Sequence, residues 1–338
     1  MLSADKKEKI AHAVIKTLYS KFSDFPEDAS ENRNAPFHEA FLNAFQHKFA
    51  GKVSDISFFI SLSSWFHGLN TTLGQSFFEK VSHILCDGMK RELISLSQQT
   101  TITDIITDLK NRTQTSNLTK ENNLIFQNNM PADRDIANFT ADCYFEDDTI
   151  VAIELKTVKP NSGIFKNEKD KILSAKAGLK NANPTKEVYF YLGFPFDPLS
   201  EEPTGSDKMR FMNYSVDFTK FFDPSEVLLA DELWNFLSGD SNTMKQLIDI
   251  INAVATPKFI EKYNFLNTPS NKSTDLNRYL QQLHEWNLKL DVSIVTNEAT
   301  IQSKLENNKR LSRIYSQPIF KEGEYNIERL NALNNLLN

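Results

Sequence analysis

The 338 residues are 40% hydrophobic and 24% charged, an ordinary globular composition that excludes a low-complexity or collagen-like chain. The formal net charge of −6 argues against a surface uniformly coated in nucleic acid, although local basic patches remain possible. Cys86 and Cys143 are the only cysteines, too few for a disulfide framework, so a reducing cytoplasm is the expected setting.

In chain order, MLSADKKEKIAHAVIKTLYSKF (1–22) reads as an amphipathic helix with Ala11, Val14, Ile15, Leu18 and Phe22 on one side. Its lysines interrupt any apolar run, so it is not a secretory signal. ISFFISLSSWF (56–66) is too short and too broken by serines to span a membrane. Residues 1 to about 125 read as helical with polar breaks. Within them TTLGQSFFEKVSHILCDGMKREL (71–93) has the stripe Phe77, Phe78, Val81, Ile84 and Leu85 of a buried helix, with Thr72 placed to cap it. A polar loop (112–135) precedes the strand-like ANFTADCYF (137–145), the turn DDT (147–149) and the strand TIVAIELKTV (149–158). IFKNEKDKILSAKAGL (164–179) returns to helical spacing, and EVYFYLGF (187–194) is an aromatic strand. A strand, a helix and a strand of these lengths predict a crossover between parallel neighbours. After Pro198 the chain reads as helical, including EVLLADELWNFLSG (226–239), TMKQLIDIINAVA (243–255) and LNRYLQQLHEWNLKL (276–290).

The expected fold class is therefore α/β: a mixed sheet flanked by helices, with helical N- and C-terminal additions. The expected organisation is a helical region over 1–70 and a core over 71–240. That core holds the hairpin 137–158, the crossover helix 164–179 and the strand 187–194. A helical region over 241–338, for DNA recognition or dimerisation, follows. Two stretches are basic: Leu155 to Lys186 has eight lysines against Glu168 and Asp170, and Lys304 to Lys321 has five basic residues against Glu306. Such islands either bind a polyanion or are solvated helix faces.

The chemistry concentrates in the hairpin. Glu154 and Lys156 lie two apart on one strand and so share a face. A three-residue DDT loop pairs Glu146 with Ile150 and sets Asp142 opposite Glu154; a two-residue turn would set Asp142 opposite Ile153. The three-residue loop leaves Ala141, Cys143, Phe145, Val151, Ile153 and Leu155 together on one apolar face, which favours it, because a one-residue slip would mix the two faces. Two facing carboxylates call for positive charge between them. Mg2+ suits such a site: Asp142 and Glu154 supply hard oxygens, and the Leu155 carbonyl is a natural third ligand. A metal there acidifies water and offsets charge on a phosphorane-like transition state, with Lys156 orienting or deprotonating the water or stabilising the oxyanion. These are the parts needed to hydrolyse a phosphodiester. A solitary E-x-K on a strand is otherwise a surface ion pair.

Asp142–x11–Glu154–Leu155–Lys156 resembles the active-site motif of the PD-(D/E)xK nuclease superfamily. TTLGQSFFEKVSHIL (71–85), ADCYFEDDTIVAIELKTVKPNSG (141–163), VYFYLGFPFDP (188–198) and EVLLADELWNFLSG (226–239) resemble, in that order, type II restriction endonucleases of the TdeIII type, which cut at GGNCC. The resemblance implies a PD-(D/E)xK restriction-endonuclease-like fold. It makes Asp142 and Glu154 metal ligands and Lys156 the catalytic lysine, adds Glu79 as a further acidic residue near the metal, and places Lys159 and Asn161 at the DNA-facing edge. Ala141 stands where the motif has proline, a position the chemistry does not use.

The six histidines form no metal-spaced cluster, and there is no phosphate-binding G-x-x-x-x-G-K-[ST]. The expected function is Mg2+-dependent cleavage of double-stranded DNA at a short site. A near-palindromic site implies a homodimer, and a host needs a separate methyltransferase to protect it. Arg210, Arg310 and Arg313 are candidates for reading guanine or for touching phosphate. The competing readings are a non-specific or repair-type nuclease of the same superfamily and a catalytically silent binding module.

Overall fold

The computed structural model describes residues 1–27, 36–44, 46–49, 51–53, 55–93, 97–98, 108, 111, 116–125, 134–135, 138–157, 159, 162–202, 204–305 and 308–337. The chain forms two compact units: residues 1–2 with 78–247, and residues 3–77 with 248–338. The N- and C-terminal helical regions, separate in the sequence reading, thus share one unit.

The helical unit begins with α1 (Ala4–Ser23), whose first turn is capped by Ser3, the hydroxyl accepting from the Lys6 N–H at 3.2 Å. Ile10, Ala11, Val14 and Ile15 of its stripe are buried, while Phe22 remains largely exposed and stacks on Phe259 at 5.5 Å. Ile294, Ile301, Leu305 and Leu333 build a small core in the same unit. Thr72 does not cap a helix. It closes the helix Ile56–Thr72 with its hydroxyl on the Gly68 carbonyl, and a π-helical turn follows at Leu73–Phe77.

The sheet unit opens with α2 (Phe78–Cys86). Helical spacing predicts this helix on to residue 93, but it stops at Asp87, which takes a φ of 53°. At Gly88 the chain passes so close to its neighbour that an added Cβ would lie 2.8 Å from the Tyr144 carbonyl oxygen. Residues Met89–Leu93 are then an edge strand, β1. There follow β2 (Phe139–Glu146), β3 (Thr149–Leu155), α3 (Ser162–Ala182) and β4 (Glu187–Phe194). The stretch 226–239, read as one helix, is instead the strand β5 (Val227–Leu229) and the helix α4 (Asp231–Ser238), separated by Ala230 at φ 53°.

These strands form a mixed sheet in the order β1-β2-β3-β4-β5. The β1–β2 and β2–β3 pairs are antiparallel; β3–β4 and β4–β5 are parallel. The hairpin register is Cys143↔Ile153, Tyr144↔Ala152, Phe145↔Val151 and Glu146↔Ile150, the register of the three-residue loop, closed by the Asp147 N–H on the Thr149 carbonyl at 3.0 Å.

Central β3 is buried on both faces, Ile150 through Leu155, which is why it reads as nearly continuous apolar sequence. Each fully buried Val or Ile there contributes about 1.5–3 kcal/mol by leaving water. The face of Ile153 and Leu155 meets α4. Gly193 opens the space, since a Cβ would fall 3.0 Å from both of those side chains and 3.1 Å from Leu233. The opposite face, which carries Glu154 and Lys156, meets α3, whose Glu168 lies 3.4 Å from the Lys156 ammonium.

Candidate active site

The register carries Asp142, Glu154 and Lys156 to one end of the hairpin. Asp142 is fixed twice. Its Oδ2 accepts the Leu155 N–H at 2.8 Å, and its own carbonyl accepts from His83 Nε2 of α2 at 2.7 Å. Lys156 is fixed through its backbone N–H, which donates to the Gly193 carbonyl at 2.8 Å. The two strand neighbours of β3 therefore hold the motif from either side, with α2 supporting the β2 side.

The lysine ammonium donates to Glu154 Oε1 at 2.6 Å and lies 3.4 Å from Glu168 Oε2; Glu168 Oε1 accepts from Lys171 at 3.2 Å. Burial, followed by the charge of Asp142, pushes the Glu154 carboxyl up to about 7. Burial works against charge on Lys156, but Glu154, Glu168 and Asp142 outweigh it and hold the ammonium above the ordinary lysine value. On the solvent side Lys90 of β1 grips Glu79 at 3.0 and 2.9 Å and stands 3.9 Å from Asp142 Oδ1. The Glu79 bond raises the Lys90 pKa, helped by Asp142 and Glu154.

Four carboxylates and three lysines thus interleave around the end of β3. Asp142 and Glu154 are hard oxygen donors close enough for one to disfavour ionisation of the other. That repulsion is what a divalent cation relieves, so the donor chemistry fits one. Among the described residues no three His, Cys, Asp or Glu side chains converge as a metal-holding group. The fitting set is therefore two carboxylates completed by backbone oxygen or water. Glu79 is engaged by Lys90, which also stands near Asp142.

The remaining sequence candidates are dispersed. Lys159 is exposed just beyond β3, and Asn161 lies outside the described residues. Arg210 pairs with buried Asp197 at 3.2 Å. Arg310 and Arg313 lie exposed on the helix Lys309–Tyr315 of the other unit. The lysine island is largely spent internally. Lys169 contacts Glu121 and Glu226, Lys176 donates to Asn122, Lys180 to two carbonyls, and Lys186 to Glu146. Glu168 and Lys90 carried no sequence signal of their own, each being one charged residue in a charged stretch.

The profile of a protein family described as "Type II restriction endonuclease, HinfI" matches residues 2–255. The chain belongs to that family. It is also 43% identical over 309 residues to the type II restriction enzyme MjaII of Methanocaldococcus jannaschii, a match covering 85% of this chain and 84% of that one. The protein is a type II restriction endonuclease, and its substrate is double-stranded DNA. The family match contains residues 78–247 of the endonuclease's sheet unit, whereas Arg310 and Arg313 fall beyond it. No described helix is long and apolar enough to cross a membrane.

Proposed function

We propose that the end of β3 is the cleavage centre, of the PD-(D/E)xK type, and that cleavage depends on Mg2+. The observation that carries this reading is the convergence of Asp142, Glu154 and Lys156 on one face of the central hairpin. Asp142, Glu154 and the Leu155 carbonyl would hold the cation, with Glu79 a further acidic residue near it. The metal, when bound, supplies Lewis acidity and charge neutralisation.

Lys156 orients or deprotonates the attacking water, or stabilises negative charge developing on phosphate oxygens. Leu155 N–H keeps Asp142 Oδ2 fixed, and Oδ1, 3.9 Å from the Lys90 ammonium, is the oxygen that would take the cation. Exposed Lys159 continues the edge along which a DNA backbone runs, Asn161 is a further candidate DNA contact, and Arg210, Arg310 and Arg313 contribute phosphate or base contacts.

The enzyme makes double-strand breaks at a short near-palindromic sequence as a homodimer in the cytoplasm, paired with a separate methyltransferase. The TdeIII-type resemblance makes GGNCC the first sequence to test. Digestion of unmethylated plasmid with Mg2+, followed by sequencing of the ends, is the test. Discrete fragments with one common end sequence support the reading, and cleavage persisting after complete chelation contradicts the metal.

A further inference from the structure

Helix α3 is rich in lysine, yet one of its two acidic residues, Glu168, is buried. Carboxylates are almost never buried without a partner. The Glu168 partners are two lysines of different standing: Lys171, exposed and one turn along the same helix, and Lys156 of the site. Oε2, the oxygen toward Lys156, is sealed from solvent without a hydrogen-bond donor among the described residues. Its 3.4 Å separation from Nζ exceeds the roughly 2.7–2.9 Å of a formed charge-assisted hydrogen bond. The lysine ammonium meanwhile spends its short bond on Glu154 at 2.6 Å. A small swing of the Lys156 side chain therefore exchanges one carboxylate for the other without leaving the site.

We propose that Glu168 is the positioning residue for Lys156, the acceptor that retains the ammonium over the Asp142–Glu154 pair when Glu154 is drawn into binding a cation or substrate. A lysine has three donors on a flexible four-carbon stem. With Glu154 as its sole anchor, it would lose its orientation at the moment the chemistry needs it. Glu168 supplies a second anchor from a separate element, α3, so the two holds do not depend on each other. The inference rests on the cleavage centre proposed above, but the contact itself can be tested without cleavage.

The test uses the full chain, wild type, Glu168→Gln and Glu168→Ala, each held in Mg2+ so that Glu154 is engaged, and treated with an excess of an amine-acylating N-hydroxysuccinimide ester. Mass spectrometry then compares labelling of Lys156 with that of exposed Lys166 in the same molecule. Both variants are expected to raise relative Lys156 labelling several-fold. Single-turnover cleavage with Mg2+ should fall about 10–100-fold, in the range set by losing catalytic orientation, while DNA affinity changes less than twofold. Should the alanine variant unfold, the near-isosteric glutamine variant carries the test. Unchanged Lys156 labelling in a folded variant overturns the proposal, as does raised labelling with an unchanged cleavage rate. If wild type cuts no DNA, the cleavage centre fails, and the labelling ratio still decides whether Glu168 holds Lys156.

Discussion

Helix α3 carries Glu168 and Lys169 side by side, and the two belong to opposite kinds of cluster. Glu168 faces Lys156, a lysine between two carboxylates whose side chain is 24% exposed. Lys169 is also a lysine between two carboxylates, Glu121 at 2.6 Å and Glu226 at 2.7 Å, but its side chain is 0% exposed. Ser116 donates to Glu121 and the Asp223 N–H donates to Glu226, tying residues 116–125 and 223–226 to α3. Burial pushes the Glu226 carboxyl up and Lys169 opposes it. The same triad chemistry therefore serves two ends. Sealed in the interior it fixes loops against a helix. Opened to solvent at a strand end, with one contact left long, it can rearrange around a ligand.

The comparison breaks most clearly if the two lysines are exchanged for methionine. Lys169→Met should cost about 3–5 kcal/mol of stability, because it strands two buried carboxylates; equilibrium denaturation checks it, and a loss below about 1 kcal/mol would mean the cluster is not sealed. Lys156→Met should instead lower single-turnover cleavage about 10²–10⁴-fold, the usual weight of a positioned catalytic group. Its effect on unfolding should stay within about 1 kcal/mol, as expected of a partly exposed ion pair.

A buried carboxylate with no ion pair among the described residues extends the contrast. Glu8 in α1 accepts the Leu290 N–H at 2.9 Å, and burial raises it to about 7. Its folded value lies above its unfolded one, so its contribution is full below about pH 4.5 and is lost as pH rises through 7. Glu8→Gln should therefore gain about 1–2 kcal/mol over wild type at pH 8 and match it near pH 4, read from denaturation curves at the two pH values. The smallest effect belongs to Arg210, half-exposed against Asp197. Arg210→Ala should cost about 1 kcal/mol or less of stability, while a role in DNA contact would show as weaker binding and a shallower salt dependence.

The hairpin was legible because its alternation leaves one workable register: apolar Ala141, Cys143, Val151 and Ile153 on one face force Asp142 and Glu154 onto the other. The helix of 162–182 and the strand of 187–194 were legible from length and period. Strand β1 was not, because MKREL at a sheet edge keeps four of its five residues exposed and continues the helical spacing before it; Asp87 and Gly88 alone mark the stop. Strand β5, three residues of VLL, is too short to show a period against the amphipathic helix it precedes. The charge of 155–186 misled in a different way. Counted along the chain it looks like a surface for DNA, but Lys169, Lys176, Lys180 and Lys186 find their partners within the unit. Glu168 became visible only once α3 crossed the end of β3, a tertiary fact that no local pattern encodes.

Cleavage at Asp142, Glu154 and Lys156 is the proposal on which the other expectations depend. Its most direct measurement compares wild type and Lys156→Met on unmethylated DNA with Mg2+, at concentrations where both are bound to the DNA, with all ends sequenced. Discrete double-strand breaks sharing one short sequence are expected for wild type, none after chelation, and binding without breaks for the variant. A Lys156→Met protein that cuts the same sites at the wild-type rate would contradict the proposal.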